Sequence, residues 1–334
     1  MVQSSDLFNG FNKLNVLIVG DVMIDRYLNG SVNRISPEAP VPVVHLKSSD
    51  NRLGGAANVA LNVKALGATP YLCSIIGNDS NGVLFQDLLP ENNILSKYLI
   101  KSNNRPTTVK TRILSNNQQL LRVDDETTTD ISDAEAKQAL DMIKDLLDNK
   151  EIHVILFQDY NKGFLSYKLI REVILEAIKR DIPTIVDPKY KNFWAYKHVT
   201  MYKPNLKEIR AQLSQDIQPT LESLKEAAHQ IRNKLGNQYT LITLSEKGLF
   251  IDGDGESEII PTVPRSIADV CGAGDTVVSV AALGLAMEID IKATAHLSNL
   301  AGGQVCEKVG VVPVDKKQLI KEYEINIHNR VWLD

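Results

Sequence analysis

The chain has 334 residues, 43% of them hydrophobic, with 19 glycines, enough to bury a substantial core in one large α/β domain or two smaller ones. Its 37 basic and 41 acidic residues are well mixed and sum to a formal charge of -4, so no polybasic stripe addresses nucleic acid or an anionic membrane, and a small-molecule partner is the default. The opening stretch MVQSSDLFNGFNKLNVLIVG lacks the basic and apolar regions of a signal peptide, and no apolar run reaches the ~18 residues of a membrane span, so the expectation is a cytoplasmic protein.

From the N-terminus the pattern is βα alternation. NVLIVGD (15–21) reads as a buried strand, and a proline-studded stretch containing RISPEAPVPVVHLK, about 26–51, then breaks the rhythm. GGAANVALNVKALGA (54–68) reads as a helix and PYLCSIIG (70–77) as a strand. A second break, about 97–124, holds the short alternating runs TTVKTRILS and QQLLRVD. Neither break has room for a crossover helix, which predicts antiparallel strands of a small accessory β-sheet, a lid over the active site. Alternation resumes with DAEAKQALDMIKDLLDN (133–149), HVILFQD (153–159), SYKLIREVILEAIKRD (166–181), IPTIVDP (182–188) and QYTLITLS (238–245). Continuous apolar strands separated by amphipathic helices predict an α/β fold, a mostly parallel central sheet covered by helices on both faces. The tail, 316–334, is mixed and carries no motif. Cys73, Cys271 and Cys306 stand far apart with no C-x-x-C pair, and the six histidines show no paired spacing, so neither a disulfide framework nor a protein-held metal is expected.

The chemistry concentrates in ADVCGAGDTVVSV (268–280). A glycine-rich turn that opens a helix presents free N–H groups at the positive end of the helix dipole, so Gly272, Ala273 and Gly274 suit an anion. The same residues also suit an ordinary loop-to-helix turn in which Asp275 favours the dipole. A third glycine is missing and PRSIAD before it is not a buried strand, which argues against a dinucleotide site, and no Walker A loop occurs. With a substrate hydroxyl between Asp275 and a γ-phosphate, the acid can accept the proton while the N–H groups stabilise the transferring phosphoryl group.

DVCGAGDTVVS resembles the C-terminal signature of the ribokinase-like (PfkB) carbohydrate kinases, and GGAANVALNVKALGA their N-terminal glycine-pair signature. GDVMIDRY, RISPEAPVPVV, GGAANVALN, LSNNQQLLRVD, DYNKG, DPK and PNLKE follow, in order, the pattern of the heptose 7-phosphate kinases of that family, over roughly 15–312. The resemblance implies a ribokinase-like fold and ATP-dependent phosphorylation of D-glycero-D-manno-heptose 7-phosphate at O1, a step of ADP-heptose biosynthesis. It implies ATP and magnesium as cofactors, the metal held through ATP, and leaves a monovalent cation open. It implies Asp275 as base and Gly272, Ala273 and Gly274 as anion hole; an ordinary, low carboxylate pKa would serve there, because the transition state is loose. Asp269, in the same signature, would hold magnesium-bound water or the loop itself. Cys271 stands where the family usually carries threonine, and a thiol is the weaker hydrogen-bond partner.

On the sugar side, Asp25 resembles the acid that accepts sugar hydroxyls, and Asp21 is either a second such group or a turn residue. Gly54 and Gly55 would let the backbone approach the sugar, with Asn58 one helical turn on facing the same way, or all three serve helix initiation and packing. Lys110, Arg112 and Arg122 alternate along strands, either reaching a dianionic phosphate or forming a solvated face. Lys162 and Lys189 follow apparent strands, where ligands gather in open α/β sheets, or lie on the surface. PNLKE resembles the family's N-x-x-E element, in which Asn205 and Glu208 organise magnesium and phosphates from the outer shell; the pair also fits a capped helix start. TLSEKG places Thr243, Ser245, Glu246 and Gly248 at the nucleotide by resemblance, and Asn299 and Gly303 border the adenine or pack helices closely.

The expected organisation is a single kinase domain over 1–334 without a nucleotidyltransferase domain, paired as a homodimer through exposed lid edges. A kinase for another sugar, or a silent sugar or nucleotide binder of the same fold, remains the alternative.

Overall fold

Strand β1 (Asn15–Gly20) shows how the sheet is covered: Val16 and Ile18 enter one apolar core, while Leu17 and Val19 enter another on the opposite face. That is the period-2 alternation of a strand buried on both sides. A computed structural model describes residues 4–116 and 118–328; the two ends of the chain, including the last part of the motif-free tail, lie outside the described residues. In chain order the elements are α1 (Ser4–Phe11), β1, β2 (Val22–Ile35), β3 (Pro42–Gly55), α2 (Ala56–Ala65), β4 (Thr69–Gly77), α3 (Ser80–Glu91), β5 (Leu99–Ser102), β6 (Val109–Ser115) and β7 (Gln118–Asp125). Then come α4 (Asp133–Asn149), β8 (Val154–Gln158), α5 (Tyr167–Lys179), β9 (Thr184–Asp187), β10 (Met201–Tyr202), α6 (Leu206–Leu213), α7 (Leu221–Leu235) and β11 (Tyr239–Thr243). A 3₁₀ turn (Ser245–Lys247), β12 (Leu249–Gly253), β13 (Glu256–Ile260), α8 (Ala273–Ala286), α9 (Ile291–Val305) and α10 (Lys316–His328) complete it.

Among the described residues the central sheet has nine strands in the order β13-β12-β11-β10-β9-β8-β1-β4-β5. Every pair from β5 to β11 is parallel, and β12 and β13 close the edge antiparallel. Helices α1, α2, α8, α9 and α10 cover one face and α4, α5, α6 and α7 the other, as the two cores record. This is the expected doubly covered α/β fold.

The lid is a separate four-stranded sheet in the order β3-β2-β6-β7. Its hairpins β2/β3 and β6/β7 are antiparallel as expected, but β2 and β6 pair parallel. The reason is topological: β2 leaves parallel strand β1 and β6 follows parallel strand β5, so both emerge from the central sheet in one direction. The lid also takes more of the first segment than 26–51, running from Val22 to Gly55, and less of the second, because Leu99–Ser102 joins the central sheet. Gly54 and Gly55 end β3 rather than opening the helix, which starts at Ala56 with its N–H on the Asp21 carbonyl at 2.9 Å. Helices α3 and α7 lie in stretches that the sequence reading left unassigned.

Candidate active site

Polar side chains gather at the carboxyl ends of β1, β8, β9 and β10, the edge where open α/β sheets hold ligands. Helix α8 aims its N-terminus at this edge. Val277 to Gly284 are small or apolar and buried, so the helix runs through the interior between α2 and α9. Gly272 caps it in a left-handed conformation, φ 81°, and a Cβ there would sit 3.0 Å from the Asn58 amide nitrogen, so glycine is required. No side chain caps the turn; the Ala273 N–H reaches the Val270 carbonyl at 3.4 Å, which leaves its neighbours' N–H groups to a ligand.

Asp275, in that first turn, is 4% exposed. It accepts hydrogen bonds from Asn58 Nδ2 at 2.7 Å, from the Tyr160 hydroxyl at 2.7 Å and from Gln158 Nε2 at 3.2 Å. Burial raises its pKa to about 6; the Asn58 and Tyr160 hydrogen bonds pull it down, Asp187 pushes it up and Lys203 pulls it down. An ordinary, low pKa would have served the chemistry, but the helix that carries the acid is interior, and burial sets the value higher. Gln158 Nε2 also donates to Asp187 Oδ2 at 3.2 Å, joining the ends of two adjacent strands. Lys203, 2% exposed, pairs with Asp187 at 3.2 Å. A Cβ at Gly274 would lie 3.8 Å from Asp187 Oδ2 and 3.9 Å from Lys203 Nζ, so the glycine leaves a cradle between the helix start and this pair. Lys189 bridges Glu208 at 2.6 Å and Asp187 at 3.8 Å. Burial alone would lower its pKa, but the charges of Asp187 and Glu208 outweigh that and raise it.

The sugar-side residues separate into two groups. Asp21 accepts backbone N–H groups from Tyr160, Lys162 and Phe164 at 2.9, 3.0 and 3.0 Å. It therefore holds the 160–164 loop. Asn58, fully buried, donates to Asp275. Asp25 lies in the lid sheet itself, on β2: Arg112 of β6 pairs with it, and a Cβ at Gly54 would collide with its carboxylate. At Gly55, φ 60°, a Cβ would collide with the Asp21 carbonyl, so the glycine pair serves close backbone approach. Lys110 and Lys162 converge on Glu126 at 3.1 and 2.7 Å, and Arg122 pairs with Asp124 at 2.9 Å. Burial pushes Glu126 up, but hydrogen bonds from Lys162 and Lys110 win and hold it below the usual carboxylate range.

On the nucleotide side, Asn205 and Glu208 form a reciprocal capping box at the start of α6, each side chain 2.9 Å from the other's N–H. Asn205 also bridges to Thr243 at the end of β11, followed by the turn with Ser245 and Glu246. Gly248, φ 99°, packs against the Ile260 carbonyl, where any Cβ would collide. Asn299 donates to the Pro261 carbonyl at 2.8 Å, and Gly303 makes room for Arg265. Asp269 takes the second of its two roles: it accepts from the N–H groups of Cys271 at 3.0 Å and Gly310 at 2.9 Å, holding the loop before α8. Burial would raise its pKa, but the bonds from Cys271 and Gly310 lower it.

Gln158, Tyr160, Asp187 and Lys203 were missed as site residues. Their common signal is a polar residue at, or just past, the end of an apolar strand.

A buried acid and an uncapped helix start sharing one turn suit transfer of an anionic group to an alcohol. Residues 13–317 match the model of the pfkB family of carbohydrate kinases. The chain belongs to that family and is a carbohydrate kinase. It is 37% identical over 299 residues to the bifunctional protein HldE of Campylobacter curvus, covering 89% of this chain and 62% of that protein. It is 38% identical over 312 residues to HldE of Magnetococcus marinus, covering 92% and 64%. The chain thus spans somewhat less than two thirds of the length of these relatives. Among solved structures, Escherichia coli phosphofructokinase-2 in complex with potassium aligns with a TM-score of 0.77 at 18% identity, covering 93% of this chain and 98% of that one. Arabidopsis thaliana ribokinase complexed with ribose and ATP aligns at 0.70 and 18% identity, covering 92% and 98%. Both have the ribokinase-like fold seen here. Among the described residues no helix is long and apolar enough to cross a membrane.

Proposed function

We propose that this kinase transfers the γ-phosphoryl group of ATP to O1 of D-glycero-D-manno-heptose 7-phosphate, with Asp275 as the base. The observation that carries the reading is the placement of Asp275, a buried carboxylate in the first turn of an uncapped helix, so that proton acceptor and anion cradle are set by one backbone segment. In this reading the N–H groups of Gly272 to Gly274, together with Lys203, hold the transferring phosphoryl group. Asn205, Glu208, Thr243, Ser245, Glu246 and Gly248 flank the nucleotide, with Asn299 and Gly303 toward the adenine. The carboxylate of Glu208 and the amide of Asn205 fit water ligands of an ATP-bound magnesium ion, which when bound neutralises phosphate charge. Asp269 supports the cradle from behind.

The resemblance to heptose 7-phosphate kinases and the identity of 37–39% to the HldE proteins support the sugar. So does the lid: Lys110 and Lys162 share one carboxylate, so a phosphate arriving at Glu126 meets two ammonium groups, with Arg112 and Arg122 on the same sheet. Residues 13–317 act as one kinase domain. Two lids pair in a homodimer, covering Leu120, Leu121 and Val123, which are 43%, 55% and 50% exposed on edge strand β7.

The test is ATP-dependent phosphorylation of the heptose 7-phosphate against the unphosphorylated heptose and other sugars, with and without potassium. Loss of the charge-assisted contacts should lower kcat/KM for the unphosphorylated heptose by at least ~100-fold. Faster turnover of free ribose or fructose would replace the heptose phosphate by another acceptor, and no ATP consumption with any sugar would leave a silent binder.

A further inference from the structure

We infer that Tyr160 is a positioning residue for the transfer: its hydroxyl occupies Oδ1 of Asp275 and leaves Oδ2 as the oxygen that takes the acceptor's proton. The inference rests on Asp275 being the base. Each carboxylate oxygen offers two lone pairs. Oδ1 receives Tyr160 at 2.7 Å and Gln158 at 3.2 Å and is filled. Oδ2 receives Asn58 Nδ2 at 2.7 Å as its single donor among the described residues, so one lone pair stays open. In the step so placed, the acceptor O–H bond breaks and its proton passes to Oδ2. The acceptor oxygen bonds to the γ-phosphorus, and the bond from that phosphorus to the β,γ-bridging oxygen breaks, releasing ADP.

Tyr160 is held for this role from several sides. Its backbone N–H donates to Asp21 at 2.9 Å, and Asp21 pins the next two alternate residues of the loop as well. Its ring lies under the Lys189 ammonium, 5.7 Å from the ring centre, and Lys189 is fixed by Glu208. Burial and the nearby Asp275 push the phenol's pKa well above its ordinary value, so the hydroxyl keeps its proton and acts as a donor. The groups facing Asp275 are few: Asn58 from α2, Gln158 and Tyr160 from the end of β8, Asp187 from β9, Lys189 just after it and Lys203 after β10. Lys189, Asp187 and Asp25 face Tyr160 itself. Like the amides of Asn58 and Gln158, Tyr160 is a neutral donor, and its hydroxyl can be removed without changing the charge of the site.

The experiment compares pH profiles of kcat/KM for the full chain, its Tyr160→Phe variant and its Asp275→Asn variant, with magnesium-ATP and heptose 7-phosphate. A donor to the ionised form lowers an acid's pKa, so Tyr160→Phe should move the acid limb upward by about one pH unit, cutting activity about fivefold at pH 6, approaching tenfold at lower pH, and changing it little at pH 8. A residue with only a structural role would lower activity evenly across pH. Incorporation of 3-fluorotyrosine at position 160, a more acidic phenol of nearly the same shape, should move the limb downward and keeps the test open if the phenylalanine variant fails to fold. Substantial activity in Asp275→Asn would overturn the base itself. An inactive Asp275→Asn together with an unmoved limb in the Tyr160 variants would overturn this inference alone.

Discussion

Asn58 and Asp275 lie 217 residues apart in the chain and hydrogen-bond through their side chains at 2.7 Å, both buried. Asn58 stands on the first turn of α2, just after the glycine pair, and Asp275 on the first turn of α8. The two signature stretches of the sequence thus meet in one bond. Asn62, a turn further along α2, donates to the Asn58 carbonyl at 2.9 Å and accepts from Thr276 at 3.1 Å, locking the helices together.

Asn58→Ala removes a donor from a charged acceptor, so we expect a loss of about 2 kcal/mol in stability. Asn58→Asp should be worse at pH 8, where a second buried carboxylate faces Asp275, and the gap between the two variants should close below about pH 5. Urea denaturation at both pH values checks this; equal behaviour would show that the two side chains are not coupled.

Asp275→Asn should lower turnover by ~10²- to 10⁴-fold by removing the base. It should also reveal a conflict between stability and catalysis. The folded pKa of Asp275 is raised from 3.8 to about 6, so its contribution to stability is fully present below pH 3.8 and is lost as pH rises through 6. The full shift is worth about 3 kcal/mol. Relative to the parent, the variant should therefore gain stability between pH 4 and pH 8. Denaturation midpoints that shift in parallel at both ends would mean that Asp275 does not titrate in this range.

The lid reaches the cradle through Arg52. Its guanidinium donates to the carbonyls of Val309 at 3.4 Å and Val311 at 3.2 Å and lies 4.9 Å from the Tyr27 ring centre. Gly310, between those carbonyls, donates to Asp269, which holds Cys271. Arg52→Ala should reduce kcat/KM roughly tenfold through misplacement of the cradle, with Arg52→Lys intermediate because it keeps the charge without the fork. Thermal unfolding should barely change. Steady-state kinetics beside a melting curve separate this from a general loss of fold.

Cys271→Thr should change kcat by less than about tenfold, since backbone N–H groups form most of the anion contacts. Burial and the neighbouring Asp269 push the thiol up to about 11, so it should stay protonated and resist alkylation at pH 8. Rapid labelling by iodoacetamide, or an inactive threonine variant, would expose a role for the sulfur.

Local chemistry was legible without coordinates. Apolar runs such as NVLIVGD and HVILFQD specify doubly buried strands because every residue, not every second one, must avoid water. The left-handed turn at Gly272 and the capping box of Asn205 with Glu208 are written within four residues, so they could be read as short patterns. The glycine pair marked a crowded backbone, but what crowds it, Asp25 and the Asp21 carbonyl, is set by the fold.

What only the tertiary structure decided depends on which strand ends become neighbours. The order β10-β9-β8-β1 sets Lys203, Asp187, Gln158 and Asp21 side by side, though the lid, helices and a run of turns separate them in the chain. No local pattern could show that Asp21 would be taken up by the 160–164 loop, that Asn58 would turn to Asp275, or that β2 and β6 would run parallel. The raised pKa of Asp275 is of the same kind. Desolvation is a sum over everything packed around a group, so the residue that bears the charge can be named from the sequence, whereas the strength of its basicity belongs to the fold.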